Sequence, residues 1–569
     1  MIARSAPYSG AERTLLVLLF AGVALVSRWP VARLVGEGIA PGGRFDLTIL
    51  TRLYDSPATW RALWRTLDTS VSGTLVSLAL GGAFALVAAL GDVRARGALT
   101  FLFMLPLMIP AQITALAWIN LLSSGSALLG LVGLAPPPGA PHPMFGRGGI
   151  VVLLGIEHAP LVFLALRAGL RALPRELIDA ARAAGAGRLR VLRSIILPLM
   201  VPAIAAAALL AFVSSIGNFG APALLGIPAG YDTLVTLLYQ RLAGFGPAVL
   251  SEAAVLSVLI GFIALCGVLL QNRVVGRSDY RLIGGSAGAG QSAFALGRAR
   301  LPIEIAVWTA LLLVVVMPLL ALVASSLVPA IGVALSTTTI TFRHYGAALF
   351  LQAATARAFA NSLTLSAAAA MVAVAAALPL AYFLAWRSNR FVRLLNPLVE
   401  LPYALPGIVL AIGFILAFIR PLPIIGVSIY GTVWIILLAY VARFFALALR
   451  PVMSGFAQLD RTLDEAAAAA GARLFRRLRT VTLPLVAPVA AAGAILVFLT
   501  ALNELTVSAL LWSRGSETLG VIVFSLQEGG DSPLAAAVSC ISIALVLVLM
   551  GIASAFERRL PDGVLPWAR

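Results

Sequence analysis

Two short stretches, 286 residues apart, carry the clearest chemical pattern in this chain. Asp179-Ala180-Ala181 is followed by Gly185 and then by Ile195-Ile196-Leu197-Pro198. Glu465-Ala466-Ala467 is followed by Gly471 and then by Val481-Thr482-Leu483-Pro484. A single carboxylate among alanines is docking equipment rather than catalytic equipment. Alanine favours helix and leaves a narrow, smooth face. Such a face fits a groove on another protein, where the carboxylate can meet an Arg or Lys. Glycine permits the left-handed turn that ends the helix, and proline is tolerated in the first turn of the next. One copy could be a basic loop that only sets topology. Two copies with matched spacing argue for one docking surface used twice.

The other polar residues of interest are few. Asn218 and Glu504 are equivalent at the same offset, and Asn503 adjoins the second. Polar groups at membrane depth are costly, so these three are candidates to line a pathway or to satisfy helix ends. Glu157 and His158 lie in an apolar block, and Glu157 corresponds to Arg443. The two either pair across the repeat or keep separate local partners. His142, His158 and His344 are scattered, and Cys266 and Cys540 lie in apolar blocks, so no metal-ligand spacing is present. H-E-x-x-H does not occur and neither cysteine has a fitting His, which argues against an enzyme. All 41 basic residues are Arg. Without lysine there is no Walker A motif, so ATP hydrolysis, where it is needed, must come from another polypeptide.

The elements that position these residues follow from composition. The 569 residues are 61% hydrophobic and only 11% charged, and the mean hydropathy is +1.01. Soluble chains carry roughly a quarter charged residues. The apolar blocks are about 20 residues long, enough to cross a bilayer. The expectation is an all-α polytopic membrane protein of about twelve spans: 14–34, 69–90, 99–121, 149–169, 199–217, 248–270, 302–326, 361–385, 396–419, 428–449, 485–502 and 534–555. The net charge of +18 does not indicate nucleic acid. The arginines cluster in short loops, among them Arg94, Arg96, Arg188, Arg190, Arg387, Arg390, Arg476 and Arg477, all on one side of this layout. The positive-inside rule makes that side cytoplasmic, with both termini there.

The chain also repeats. The 286-residue offset extends to Phe212/Phe498 and Pro247/Pro533, and Pro106/Pro110 match Pro402/Pro406 at 296. Six spans separate equivalent points, so the repeats are parallel. The expected organisation is a first half over 1–271, a Gly/Ser/Arg-rich linker over 272–300 and a second half over 301–569, with the patterned loops at 173–198 and 459–484.

Two six-span halves, each with this loop between spans four and five, resemble the type I permeases of binding-protein-dependent ABC importers and their EAA loop. The resemblance covers nearly the whole chain, although Asp179 stands where the family usually has Glu. It implies that each loop is a coupling helix docking on a separate ATPase. The expected partners are two copies of a cytoplasmic ABC ATPase, a periplasmic solute-binding protein and the lipid bilayer, with no nucleic acid. The expected location is the bacterial inner membrane. No cofactor is expected on this chain, ATP being used by the partner subunits.

Gly217–Leu225, Leu502–Leu511, Pro402–Gly407, Asp232-Thr233-Leu234 and Glu517-Thr518-Leu519 look like the fused ferric-iron permeases. An anionic Glu504 would attract such cargo. Thiamine, polyamine, phosphonate and sulfate permeases share the layout. A twelve-span secondary transporter is the more distant alternative, and the doubled loop argues against it.

Overall fold

The computed structural model describes residues 8–43, 48–171, 173–244, 248–277, 296–421 and 426–555. Pro247, most of the expected linker and both chain ends lie outside these. Every regular element described is helical. Among the described residues, eleven helices are long and apolar enough to cross a membrane. The pair Arg390–Ala404 and Gly407–Phe418, bent by 110°, supplies the ninth segment. Hydrocarbon offers no hydrogen bonds, and helices meet that requirement internally.

The repeat is written into the backbone. The second span, Pro57–Leu90, and the eighth, Ala353–Trp386, are both 34 residues long and are offset by 296. The same offset relates Ala111–Leu122 to Gly407–Phe418. From the fourth span onward the offset is 286: Arg188–Val191, a π turn Leu192–Ile196 and Leu197–Ile216 recur as Leu474–Arg477, Leu478–Thr482 and Leu483–Leu502.

Three expectations need correction. The third and ninth segments are not continuous over 99–121 and 396–419. Each breaks at an X-Pro step, Ile109-Pro110 and Leu405-Pro406, where all four residues are extended. Proline disfavours the helical conformation in the residue before it and cannot donate to the preceding turn. The fifth and eleventh spans do not start near Pro198 and Pro484 but about ten residues earlier, at Arg188 and Leu474. A π turn ending two residues before each proline carries the helix through. The same device precedes Pro30 and Pro318. Finally, a bent pair, Gly220–Ala229 and Leu234–Leu242 at 78°, enters between the fifth and sixth spans. Ser508–Leu511 and Leu519–Glu528 are its counterpart. Each helix of these pairs is too short to register as a span.

Within each half, the second span packs along the fourth, and the fifth packs on both. The contact runs on small residues four apart. Gly73, Ser77 and Gly81 in the second span correspond to Ala369, Ala373 and Ala377 in the eighth, all buried. Between halves the first spans cross over: Trp29–Ile39 lies on Gly407–Phe418, and Met317–Ser326 lies on Ala111–Leu122.

A Cβ at Gly81 would run into the Ala159 carbonyl and Val162, whereas one at Gly22 meets nothing within 4 Å. Gly81→Leu is expected to cost at least about 1–3 kcal/mol through overpacking, and Gly22→Leu close to nothing. Thermal denaturation midpoints of the purified protein in detergent check both.

Candidate functional site

The two patterned loops fold alike. Arg175–Ala183 and Thr462–Ala469 are short helices, each closed by a glycine of positive φ, Gly185 (82°) and Gly471 (80°). Gly185 N donates to Arg182 O (3.0 Å) and Ala186 N to Ala181 O (2.9 Å). Gly471 N donates to Ala468 O (2.9 Å) and Ala472 N to Ala467 O (3.0 Å). Both are Schellman closures, which need the left-handed residue. The pattern acidic-Ala-Ala-x-x-x-Gly is thus a helix with its stop signal, and the span-forming helix follows after a one-residue gap beyond the closure.

Asp179, Ala180, Glu465 and Ala466 are exposed, and Ala181 and Ala467 are partly so. Pro198 and Pro484 lie further along, at the second residue after each π turn. Glu465 also pairs with Arg461 on its own helix at 3.0 Å, with both side chains more than half exposed. Such a pair contributes only a few tenths of a kcal/mol, so the carboxylate stays available to a partner.

The underside of the second loop is anchored by charge. Arg477 donates to Asp464 (3.0 Å) and to the Tyr382 hydroxyl (3.3 Å), and lies 3.9 Å from Glu12. Glu12 also pairs with Arg387 at 3.1 Å. Burial pushes the Asp464 carboxyl up, and Arg477 opposes it. This cluster joins residues far apart in sequence, so spacing alone gave no signal beyond one acid near the start of an apolar block.

At the opposite ends of the fifth and eleventh spans, Asn218 and Glu504 have one job. Asn218 Oδ1 accepts from Ala221 N (3.1 Å), and Glu504 Oε1 accepts from Val507 N (2.8 Å) and from the Thr506 hydroxyl. Each closes the first turn of the short helix that follows, and each is buried. Glu157 and Arg443 keep separate partners: Glu157 accepts from Asn218 Nδ2 at 2.9 Å, while Arg443 lies 3.6 Å from Glu504. The two contacts are equivalent under the repeat, with the carboxylate moved from the fourth span to the end of the eleventh. Glu504, read from sequence as an anionic attractor, is therefore already compensated by a cation.

Asn503 plays a different part. It donates to the Met108 carbonyl at 2.8 Å, an acceptor left at the break of the third segment. It also lines a small cavity with Pro110, Gln112 and Gly520. Reciprocally, Gly217, its counterpart, packs against Pro406. Each fifth-type span thus ends on the break in the other half. Beyond it, Tyr239 and Phe524, equivalent at an offset of 285, meet with centroids 6.1 Å apart, and Phe219 touches both.

The motif Asp232-Thr233-Leu234 and its partner Glu517-Thr518-Leu519 secure the bent pairs. Leu234 N donates to Thr66 Oγ1 and Leu519 N to Ser362 Oγ, both at 2.8 Å. Among the described residues no His/Cys/Asp/Glu group could hold a metal ion.

The site and fold together are those of a multi-pass, all-helical membrane protein with a doubled, exposed helix closure. The family of the binding-protein-dependent transport system inner membrane component matches residues 81–284 and 377–561, and the chain belongs to it as an ABC importer permease. Each matched segment holds one patterned loop. A probable ABC transporter permease protein of Sinorhizobium fredii is 31% identical over 502 residues, 86% of this chain and 85% of that one. A ferric transport system permease protein of Actinobacillus pleuropneumoniae is 26% identical over 430 residues, 74% of this chain and 60% of that one. A putative 2-aminoethylphosphonate transport system permease protein of Salmonella paratyphi A is 31% identical over 157 residues, 27% of this chain and 57% of that one.

A side chain at Gly407 would overlap the Arg443 guanidinium and the Thr506 hydroxyl, so glycine makes room for the Arg443–Glu504 pair. Arg443→Leu leaves a buried carboxylate uncompensated and is expected to cost about 3–5 kcal/mol. Adding Glu504→Gln should recover most of that. Detergent melting curves of the single and double variants check this; equal destabilisation would show that the pair is not the source.

Proposed function

We propose that this chain carries both halves of a translocation pathway in one polypeptide and docks one ATPase subunit on each of its two loops. The observation that carries this is the duplicated helix and Schellman closure, with Asp179 and Glu465 exposed at equivalent places. ATP is hydrolysed on those separate subunits, since the 569 residues contain no lysine for a P-loop. The loops then face the cytoplasm of a bacterial inner membrane, and a soluble binding protein delivers cargo at the opposite face, beside the Tyr239–Phe524 contact.

Iron(III) is the cargo this reading favours. A ferric permease aligns across both halves of this chain, over 430 residues, and the stretches Gly217–Leu225 and Leu502–Leu511 resemble the fused ferric permeases.

Glu465→Lys is expected to weaken co-purification of the ATPase roughly 30-fold or more, about 2 kcal/mol upward for reversing one member of a docked charge pair. Folding should be unaffected, because the local loss is a few tenths of a kcal/mol. Asp179→Lys should act in the same direction. Wild-type assembly and transport in both variants would sink the docking role. In proteoliposomes, uptake of radiolabelled ferric iron supplied on its binding protein should require ATP and ignore a collapsed proton gradient. Uptake of 2-aminoethylphosphonate instead would overturn the cargo assignment.

A further inference from the structure

The two loops share a backbone but are held from beneath by different chemistry. At the 286 offset, Asp464 and Arg477 of the second correspond to Ile178 and Val191 of the first. Ile178 and Val191 are buried in an apolar cluster. Asp464 and Arg477 are equally sheltered, their side chains 8% and 13% exposed, but they bond to each other and, through Arg477, reach Glu12. Glu12 belongs to the first span and is 4% exposed.

That span is a rod between two places. At its inner end Glu12 holds Arg387 and meets Arg477. At its outer end Trp29 Nε1 donates to Ala417 O (3.3 Å) and Arg33 Nε to Leu416 O (3.4 Å), the last turn of the helix Gly407–Phe418. One turn earlier in that helix, Gly413 sits against the Pro30 carbonyl. The same last turn, through Ile415 and Ile419, borders a crevice of about 270 Å³ with Tyr239 and Ala509. The counterpart rod, Gly297–Ser326, is tied differently. Glu304 accepts from Arg94 N (2.7 Å) and Arg300 pairs with Asp92, both in the loop after the second span. Arg188 of the first patterned loop donates to Leu296 O (3.3 Å), just ahead of that rod, and Leu296 N donates to Asp92 (2.8 Å).

We propose that Glu12 is a positioning residue that joins the second coupling loop, through Arg477, to the first membrane span, so that the ATPase on that loop moves the outer helix of the ninth segment. The inference rests on the loops being ATPase docking sites. It gives the two docked subunits different contacts: the second acts through a sheltered ionic bridge into a span contributed by the opposite half, whereas Arg188 of the first loop meets the counterpart rod only at the Leu296 carbonyl ahead of its first turn. The linkage is a contiguous set of contacts between two sites, and both of its ends can be tested.

The test uses the full complex in proteoliposomes, with Cys266→Ser and Cys540→Ser, and with Ala243→Cys, an exposed residue lining the same crevice, as the reporter. The reading is the change in labelling by a membrane-impermeant maleimide on trapping with ATP and vanadate. Glu12→Gln should keep ATPase co-purification and basal hydrolysis within about twofold, while the labelling response falls at least about fivefold. Asp464→Ile with Arg477→Val installs the apolar pair of the first loop and leaves Glu12 with Arg387. It should show the same loss, and it serves where Glu12→Gln does not fold. A response within about twofold of the parent in either variant overturns the linkage. Failure of the parent itself to bind ATPase would instead refute the docking reading.

Discussion

The bilayer interior supplies no hydrogen-bonding solvent, and this constraint accounts for most of what is irregular in the chain. At several of the breaks and bends a named partner takes up the freed group. Asn503 answers the Met108 carbonyl at the break of the third segment. Asn218 and Glu504 close the first turns that follow the fifth and eleventh spans. Thr66 and Ser362 receive the leading amides of the bent pairs. The Asn503 bond and the Gly217–Pro406 contact cross between halves, so the places where the backbone departs from a plain helix are also where the halves hold each other.

Duplication preserved the backbone more strictly than the charge. The second span, the fifth span and the outer helix of the third segment keep their lengths in the other half, and the π turns before Pro198 and Pro484 match, yet the polar contacts have diverged. Glu157–Asn218 faces Arg443–Glu504 across the repeat, and Ile178 and Val191 face Asp464 and Arg477. A sheltered ion pair and an apolar pair can hold the same geometry at similar net stability, so stability does not decide between them. They differ in what they transmit and in how salt and substitution affect them.

Much of this was legible in the residues. Apolar block length gave the spans, and alanine followed by glycine gave the helix and closure of each loop, because both depend on local backbone energetics. The X-Pro steps at Pro110 and Pro406 were visible as a matched pair, but the apolar run on either side concealed a break that needed Asn503 or a close-packed glycine to stabilise it. The start of the fifth and eleventh spans was misplaced because Pro198 and Pro484 look like initiators, whereas a π turn lets the helix pass through them. Glu504 looked like a free attractor, since Arg443 is 61 residues away and only packing brings it near. The Glu12 cluster was invisible for the same reason.

The central claim is that one chain holds two equivalent docking loops and therefore both halves of the pathway. Native mass spectrometry of the complex purified with its ATPase measures this directly. One copy of this chain with two ATPase subunits is the predicted assembly; two copies of this chain with two ATPase subunits would contradict it.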